Sequence, residues 1–173
     1  MPVERTALAP GRMGPRRDRD TRGDAEPDAP LLQLALPCDA MAVRAALAQV
    51  MARLAPLGLT EDCRGQTELV LAEVLNNVVE HAYAAQPGPI LLEMRVEGSS
   101  LACRVRDEGL PMPDGIPPAG GQALLDVPLD SMPEGGFGWF LIRSLTRNLR
   151  YVREVDGNQL TFLLPLERCL SRP

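Results

Sequence analysis

The stretch that most limits what this chain can become is Leu69–Tyr83, reading L-V-L-A-E-V-L-N-N-V-V-E-H-A-Y. At about 100° per residue, Leu71, Leu75, Val78 and Ala82 share one arc, and Glu73, Asn77, Glu80 and His81 share the opposite one. The spacing predicts a helix with one face to pack and one to work. Glu73, Asn77 and His81, at i, i+4 and i+8, stack a carboxylate, a carboxamide and an imidazole along one side of the rod. A merely solvated face would more often carry Lys, Arg and Gln, whereas this one offers a potential base, a neutral oxygen ligand and a proton-exchanging ring. Taken alone, an ordinary amphipathic helix accounts for the pattern equally well. Residues further down the chain separate the two readings.

Composition narrows the classes. The 173 residues suggest one domain, long enough for a core that buries roughly two thirds of the unfolded surface. A formal charge of −5 argues against a protein that binds nucleic acid by neutralising phosphates over a broad surface. All 18 basic residues are Arg. Without lysine there is neither a Walker-A loop nor the strand lysine of the eukaryotic-type protein kinases, unless Arg substitutes. Cys38, Cys63, Cys103 and Cys169 are widely spaced, and His81 is the single histidine, so a structural zinc site is not expected. The thiols read as small buried groups in a reducing compartment. No apolar run approaches the ~20 residues of a membrane span, and no secretory signal opens the chain. The expectation is a soluble, cytoplasmic protein.

Along the chain, residues 1–29 are rich in Arg, Asp, Pro and Gly and too poor in apolar groups to offset the entropy of ordering, so a disordered tail is expected there. Leu31–Leu36 reads as a strand ended by Pro37. Asp39 caps a helix from about Ala40 to Ala55 that Pro56 and Gly58 stop, and Thr60 caps the next, which carries the opening stretch to about Ala85. Ile90–Val96 and Leu101–Arg106 form a hairpin across Glu97-Gly98-Ser99-Ser100. The second strand exits into Asp107-Glu108-Gly109, and then comes a Pro- and Gly-rich segment with no period, of the kind found in lids and binding loops. Gly135-Gly136-Phe137-Gly138 opens an apolar helix ending near Arg147. Glycines at a helix start let N–H groups approach an anion that the helix dipole also favours. Leu149–Glu154 and Leu160–Leu164 close the chain as a second hairpin over Val155-Asp156-Gly157-Asn158. A folded domain over 30–167 is thus flanked by the tail 1–29 and a short C-terminal tail, 168–173.

Three signals stand in order: Glu73-x-x-x-Asn77-x-x-x-His81-x-Tyr83, Asp107-x-Gly109, and Gly136-x-Gly138-x-x-Leu141. Together they resemble the GHKL superfamily of Bergerat-fold ATPases and, within it, the anti-sigma-factor serine/threonine-protein kinases, over residues 31 to 166. The resemblance implies ATP and Mg²⁺ as cofactors. Asn77 would be the metal ligand, through its side-chain oxygen. Glu73 would be the general base toward the attacking hydroxyl. Asp107 would accept from the adenine amine, and Gly109 would let the backbone pass beneath the base. Gly136 and Gly138 would cradle the phosphates. Thr161 would be the polar residue behind the adenine-binding Asp, and His81 would support the site from the end of its helix. Glu134 stands where many relatives carry a basic residue, so Arg143 or a lid residue would supply that charge.

The implied activity is a protein serine kinase that sequesters a sigma factor and phosphorylates a STAS-type anti-anti-sigma partner. The alternative is an ATP-binding regulatory module with weak catalysis. The catalytic domain of a two-component histidine kinase shares the pocket but is disfavoured, because no upstream histidine is present to accept phosphate. Relatives commonly pair as homodimers, and neither nucleic acid nor membrane is an expected partner. The element order implies an α/β (α+β) two-layer sandwich, a mixed, mainly antiparallel sheet of about five strands covered on one face by three helices.

Overall fold

The computed structural model of the chain describes residues 30–83, 87–118 and 137–166. The two expected tails, most of the lid, Glu134 and Gly136 lie outside the described residues. The expected element order holds. Strand β1 (Leu32–Pro37) leads to helices α1 (Ala40–Leu54) and α2 (Glu61–Asn77), then to strands β2 (Pro89–Glu97) and β3 (Ser100–Asp107). Helix α3 (Phe137–Leu145) and strands β4 (Arg147–Glu154) and β5 (Gly157–Pro165) complete the order. The sheet order is β1-β2-β3-β5-β4. All four pairings among the described residues are antiparallel, where a mixed, mainly antiparallel sheet was expected.

Local chemistry sets the boundaries. Asp39 accepts a hydrogen bond from the Ala42 N–H at 2.8 Å and starts α1. A short 3₁₀ turn, Ala55–Leu57, succeeds it and ends at Gly58 in the left-handed conformation (φ 65°). Thr60 caps α2 through the Cys63 N–H at 3.3 Å. The opening helix does not run on as α-helix to Ala85. It stops at Asn77 and continues as one π-helical turn, Val78–Ala82. The first hairpin turns on Gly98 at φ 56°. In β4 a bulge separates Arg147 from Arg150, with Asn148 left-handed within it.

Helices cover one face of the sheet. On that side alternate residues of three strands form inner rows: Ile90, Leu92 and Met94; Leu101, Cys103 and Val105; Leu160, Phe162 and Leu164. Val43, Ala46, Val50 and Leu54 of α1, Val70, Leu71, Val74 and Leu75 of α2, and Trp139 and Ile142 of α3 close over them. Each fully buried large apolar side chain stabilises the fold by about 1.5–3 kcal/mol. By length and composition, residues 40–57 would suffice to cross a membrane, which the sequence reading did not anticipate. Within that stretch Val43, Ala46, Val50 and Leu54 are buried in the core.

The other face of the sheet is open and charged. Glu93 pairs with Arg104 across β2 and β3 at 3.5 Å, and Arg106 with Glu154 at 2.8 Å. Cys63 and Cys103 are buried and Cys38 half-buried, while Cys169 lies outside the described residues.

Candidate functional site

The site is assembled along the working face of α2. Glu73 and Asn77 are half-buried there, one turn apart, and His81 is exposed beyond them in the π-helical turn. Gly138, in the first turn of α3, lies against Glu73: a Cβ added to it would run into the carboxylate. At the other end of the rod, a Cβ on Gly109 would overlap the Ala82 carbonyl, and the Leu110 N–H donates to that same carbonyl at 2.8 Å. The glycine of Asp107-x-Gly109 is therefore required by the end of the helix that it touches. Asn77 has a buried Nδ2 with no hydrogen-bond partner among the described residues. A buried polar group left this way is costly unless a ligand engages its side chain.

Asp107 ends β3 on the inner face, 8% exposed. Its Oδ1 accepts from Asn158 Nδ2 at 2.6 Å and from the Gly109 N–H at 2.9 Å. Burial pushes its carboxyl pKa up, while Asn158, the Gly109 N–H and the Arg153 guanidinium oppose that rise. Its other oxygen has no protein partner among the described residues. The turn after Asp107 is held by Tyr83, whose hydroxyl accepts from the Glu108 N–H at 2.8 Å and donates to the Pro89 carbonyl at 2.6 Å.

One expected position is corrected. Thr161 does not stand behind Asp107: it pairs with Arg104, three residues away in register, and belongs to the open-face row of β5. Side chains alternate along a strand, so a residue three positions from Asn158 projects from the opposite side of the sheet. The residue facing Asp107 is Asn158, directly paired with it and 5% exposed. Tyr151 and Arg153 of β4 stand behind Asn158, both bonded to its Oδ1. The sequence reading missed all three. Counting by twos from Phe162 would have found Asn158. Arg143 is also not where its expected role needs it. Its Nε donates to the Pro118 carbonyl at 2.7 Å and its Nη2 to the Pro117 carbonyl at 2.6 Å, which ties α3 to the chain after Asp107-x-Gly109. Of the paired glycines, Gly138 is in place and Gly136 is outside the described residues.

Comparison with known proteins places the arrangement. A structure of the RsbU and RsbW domains of Rv1364c from Mycobacterium tuberculosis aligns over 84% of this chain at 21% identity and TM-score 0.56. This chain spans 33% of its length. The histidine kinase domain of a blue-light-activated histidine kinase from Erythrobacter litoralis aligns over 73% of this chain and 62% of its own, at 19% identity and TM-score 0.42. No protein of curated function matches by sequence. The sequence profile of the histidine kinase-like ATPase domain matches residues 36–164, and with that match the chain belongs to this GHKL-type ATPase family.

Proposed function

We propose that the chain is an ATP-dependent protein serine kinase that acts as an anti-sigma factor, holding a sigma factor and phosphorylating a STAS-type anti-anti-sigma partner. The observation that carries the reading is the line of groups along one rod. Gly138 and Glu73 meet at one end, Asn77 holds a buried Nδ2 without a hydrogen-bond partner among the described residues in the middle, and Ala82 and Gly109 meet beside Asp107 at the other. From Glu73 to Ala82 the rod rises by roughly 13 Å, a span suited to a base at one end and a chain of phosphates at the other.

The donor set fits a magnesium nucleotide. Asn77 would hold the cation, which favours oxygen ligands and few protein contacts. Bound there, Mg²⁺ supplies neutralisation of phosphate charge in a chain without lysine. Asp107 would take the exocyclic amine of adenine on its free oxygen, Glu73 would hold the proton of the attacking serine hydroxyl, and the first turn of α3 would present N–H groups to phosphate oxygens. His81, exposed at the end of the rod, supports the site from its rim.

The test is transfer of label from ATP, with Mg²⁺, to a purified STAS-type partner. Wild type yields phosphoserine, and Glu73→Ala abolishes it while nucleotide affinity stays within about threefold, as expected for a group that acts mainly in the transfer step. A second reading, an ATP-binding anti-sigma module with weak catalysis, is favoured by the engagement of Arg143 with Pro117 and Pro118, which takes up the expected compensating cation. Nucleotide binding by wild type without any transfer selects that reading.

A further inference from the structure

Helix α3 is seated on the core by two buried side chains, Trp139 and Ile142. They are three residues apart and so share one line along the rod. A helix held along a single line can roll about its own axis unless something off that line stops it. At about 100° per residue, Gly138 lies about 70° to one side of the midline between Trp139 and Ile142, and Arg143 about 70° to the other. On the first flank Gly138 abuts the Glu73 carboxylate. On the second, Arg143 Nε donates to the Pro118 carbonyl at 2.7 Å and Nη2 to the Pro117 carbonyl at 2.6 Å. The rigid fork of a guanidinium on two successive carbonyls fixes direction as well as distance.

What Arg143 grips is itself anchored. Pro117 and Pro118 have no N–H, so the pair presents only acceptors. The chain leading to them is stitched to other elements in turn. The Leu110 N–H donates to the Ala82 carbonyl at 2.8 Å and the Met112 N–H to the Tyr151 hydroxyl at 3.0 Å, while the Gly115 N–H turns back to the Met112 carbonyl at 3.1 Å. Pro111 and Pro113 stiffen the same stretch. Residues 109–118 thus form a strap from the Asp107-x-Gly109 turn, past β4, to α3. Among the described residues its hydrogen bonds to that helix come from Arg143.

We propose that Arg143 is a positioning residue: clamped to the strap, it sets the roll of α3 and thereby the fit of Gly138 against Glu73 in phosphotransfer. The inference rests on the reading of this site as a kinase site, and it gives Arg143 a task other than contact with phosphate. Because Cα atoms lie about 2.3 Å from the helix axis, a roll of about 20° carries Gly138 roughly 0.8 Å across the carboxylate. A misplacement of that order is enough to slow a reaction by about tenfold or more.

The test uses the full chain with Arg143→Met, which keeps the length of the stem and removes every donor, and Arg143→Lys. Trp139 is the single Trp of the chain, buried one residue from Gly138, and reports the seating of α3 whether or not phosphate is transferred. In Arg143→Met its emission moves to longer wavelength and acrylamide quenches it more strongly. In the same variant kcat for transfer from ATP falls about tenfold, with KM for ATP and the preference for ATP over ADP unchanged. Arg143→Lys, a point donor in place of the fork, recovers part of both effects. An unmoved kcat or an unmoved Trp139 emission in Arg143→Met overturns the inference, and a lost preference for ATP over ADP overturns it by making Arg143 a phosphate ligand. A wild type that transfers nothing overturns the kinase reading and the transfer half of the inference, and the Trp139 readout then decides the seating of α3 by itself.

Discussion

At the scale of single residues, Asp107 sets a need of function against a cost to the fold. Burial is the largest influence on its carboxyl and carries the pKa above the ordinary aspartate value of 3.8. A raised folded-state pKa means that the folded chain binds a proton more readily than the unfolded one, so this residue's contribution to stability is full below 3.8 and is lost as pH climbs through the folded value. At pH 7 the ionised, buried carboxylate is therefore a liability. Asp107→Asn, which still offers an oxygen to Asn158 and the Gly109 N–H, is expected to melt no lower than wild type at pH 7, with its relative advantage narrowing as pH falls toward 4, while ATP affinity is lost. Thermal unfolding at the two pH values together with calorimetry against ATP checks both halves. Residue-scale legibility was uneven. The spacing of Glu73 and Asn77 put them on one helix face and a turn signal put Asp107 at a strand exit, while the roles given to them came from the family resemblance. Asn158 was not legible, because Asp156-Gly157 drew it into the turn. The turn closes on Val155 and Asp156, which leaves Asn158 in the ladder opposite Asp107. Thr161 was chosen for its polarity although its parity in the strand sets it on the open face.

Among the elements, α3 separates what the site needs from what the fold needs. At Gly138, an added methyl group meets only the far end of the flexible Glu73 side chain, which can swing away, and Ala is favoured over Gly within a helix by up to about 1 kcal/mol. Gly138→Ala should leave the melting temperature equal or slightly raised and lower phosphotransfer at least about tenfold, because the displaced carboxylate no longer meets the hydroxyl in reacting geometry. Steady-state transfer beside a thermal melt decides it, and an unchanged rate would separate Glu73 from α3. Gly109 presents the opposite case, since its neighbour is the Ala82 backbone, which cannot yield. The extent of α2 shows where a periodic reading ends. A 3.6-residue pattern identifies the helix through Asn77, but it carries no sign that the next turn widens to π geometry. That turn is specified from outside, by Leu110 and Gly109 docking on Ala82.

For the molecule as a whole, stability resides in the buried layer and not in the charge pairs of the open face. Phe162 is 2% exposed at the centre of the inner rows, and Phe162→Ala should cost about 3–5 kcal/mol in urea unfolding. Glu93→Gln, which breaks the Glu93–Arg104 pair between partly exposed side chains, should cost under about 1 kcal/mol. Reversal of that order would mean that the ladder of charges, not the core, holds the sheet. The fold class was legible because caps, breakers and hairpin turns bracket every described element. The strand order was not, since side-by-side placement of β3 and β5 depends on contacts between segments about fifty residues apart. The widened turn after Asn77 has a mechanical outcome. It joins the Asp107-x-Gly109 turn to the same rod that carries Glu73 and Asn77. Anything that tilts this rod must therefore carry the Asp107-x-Gly109 turn with it, so the two ends of the candidate site shift together.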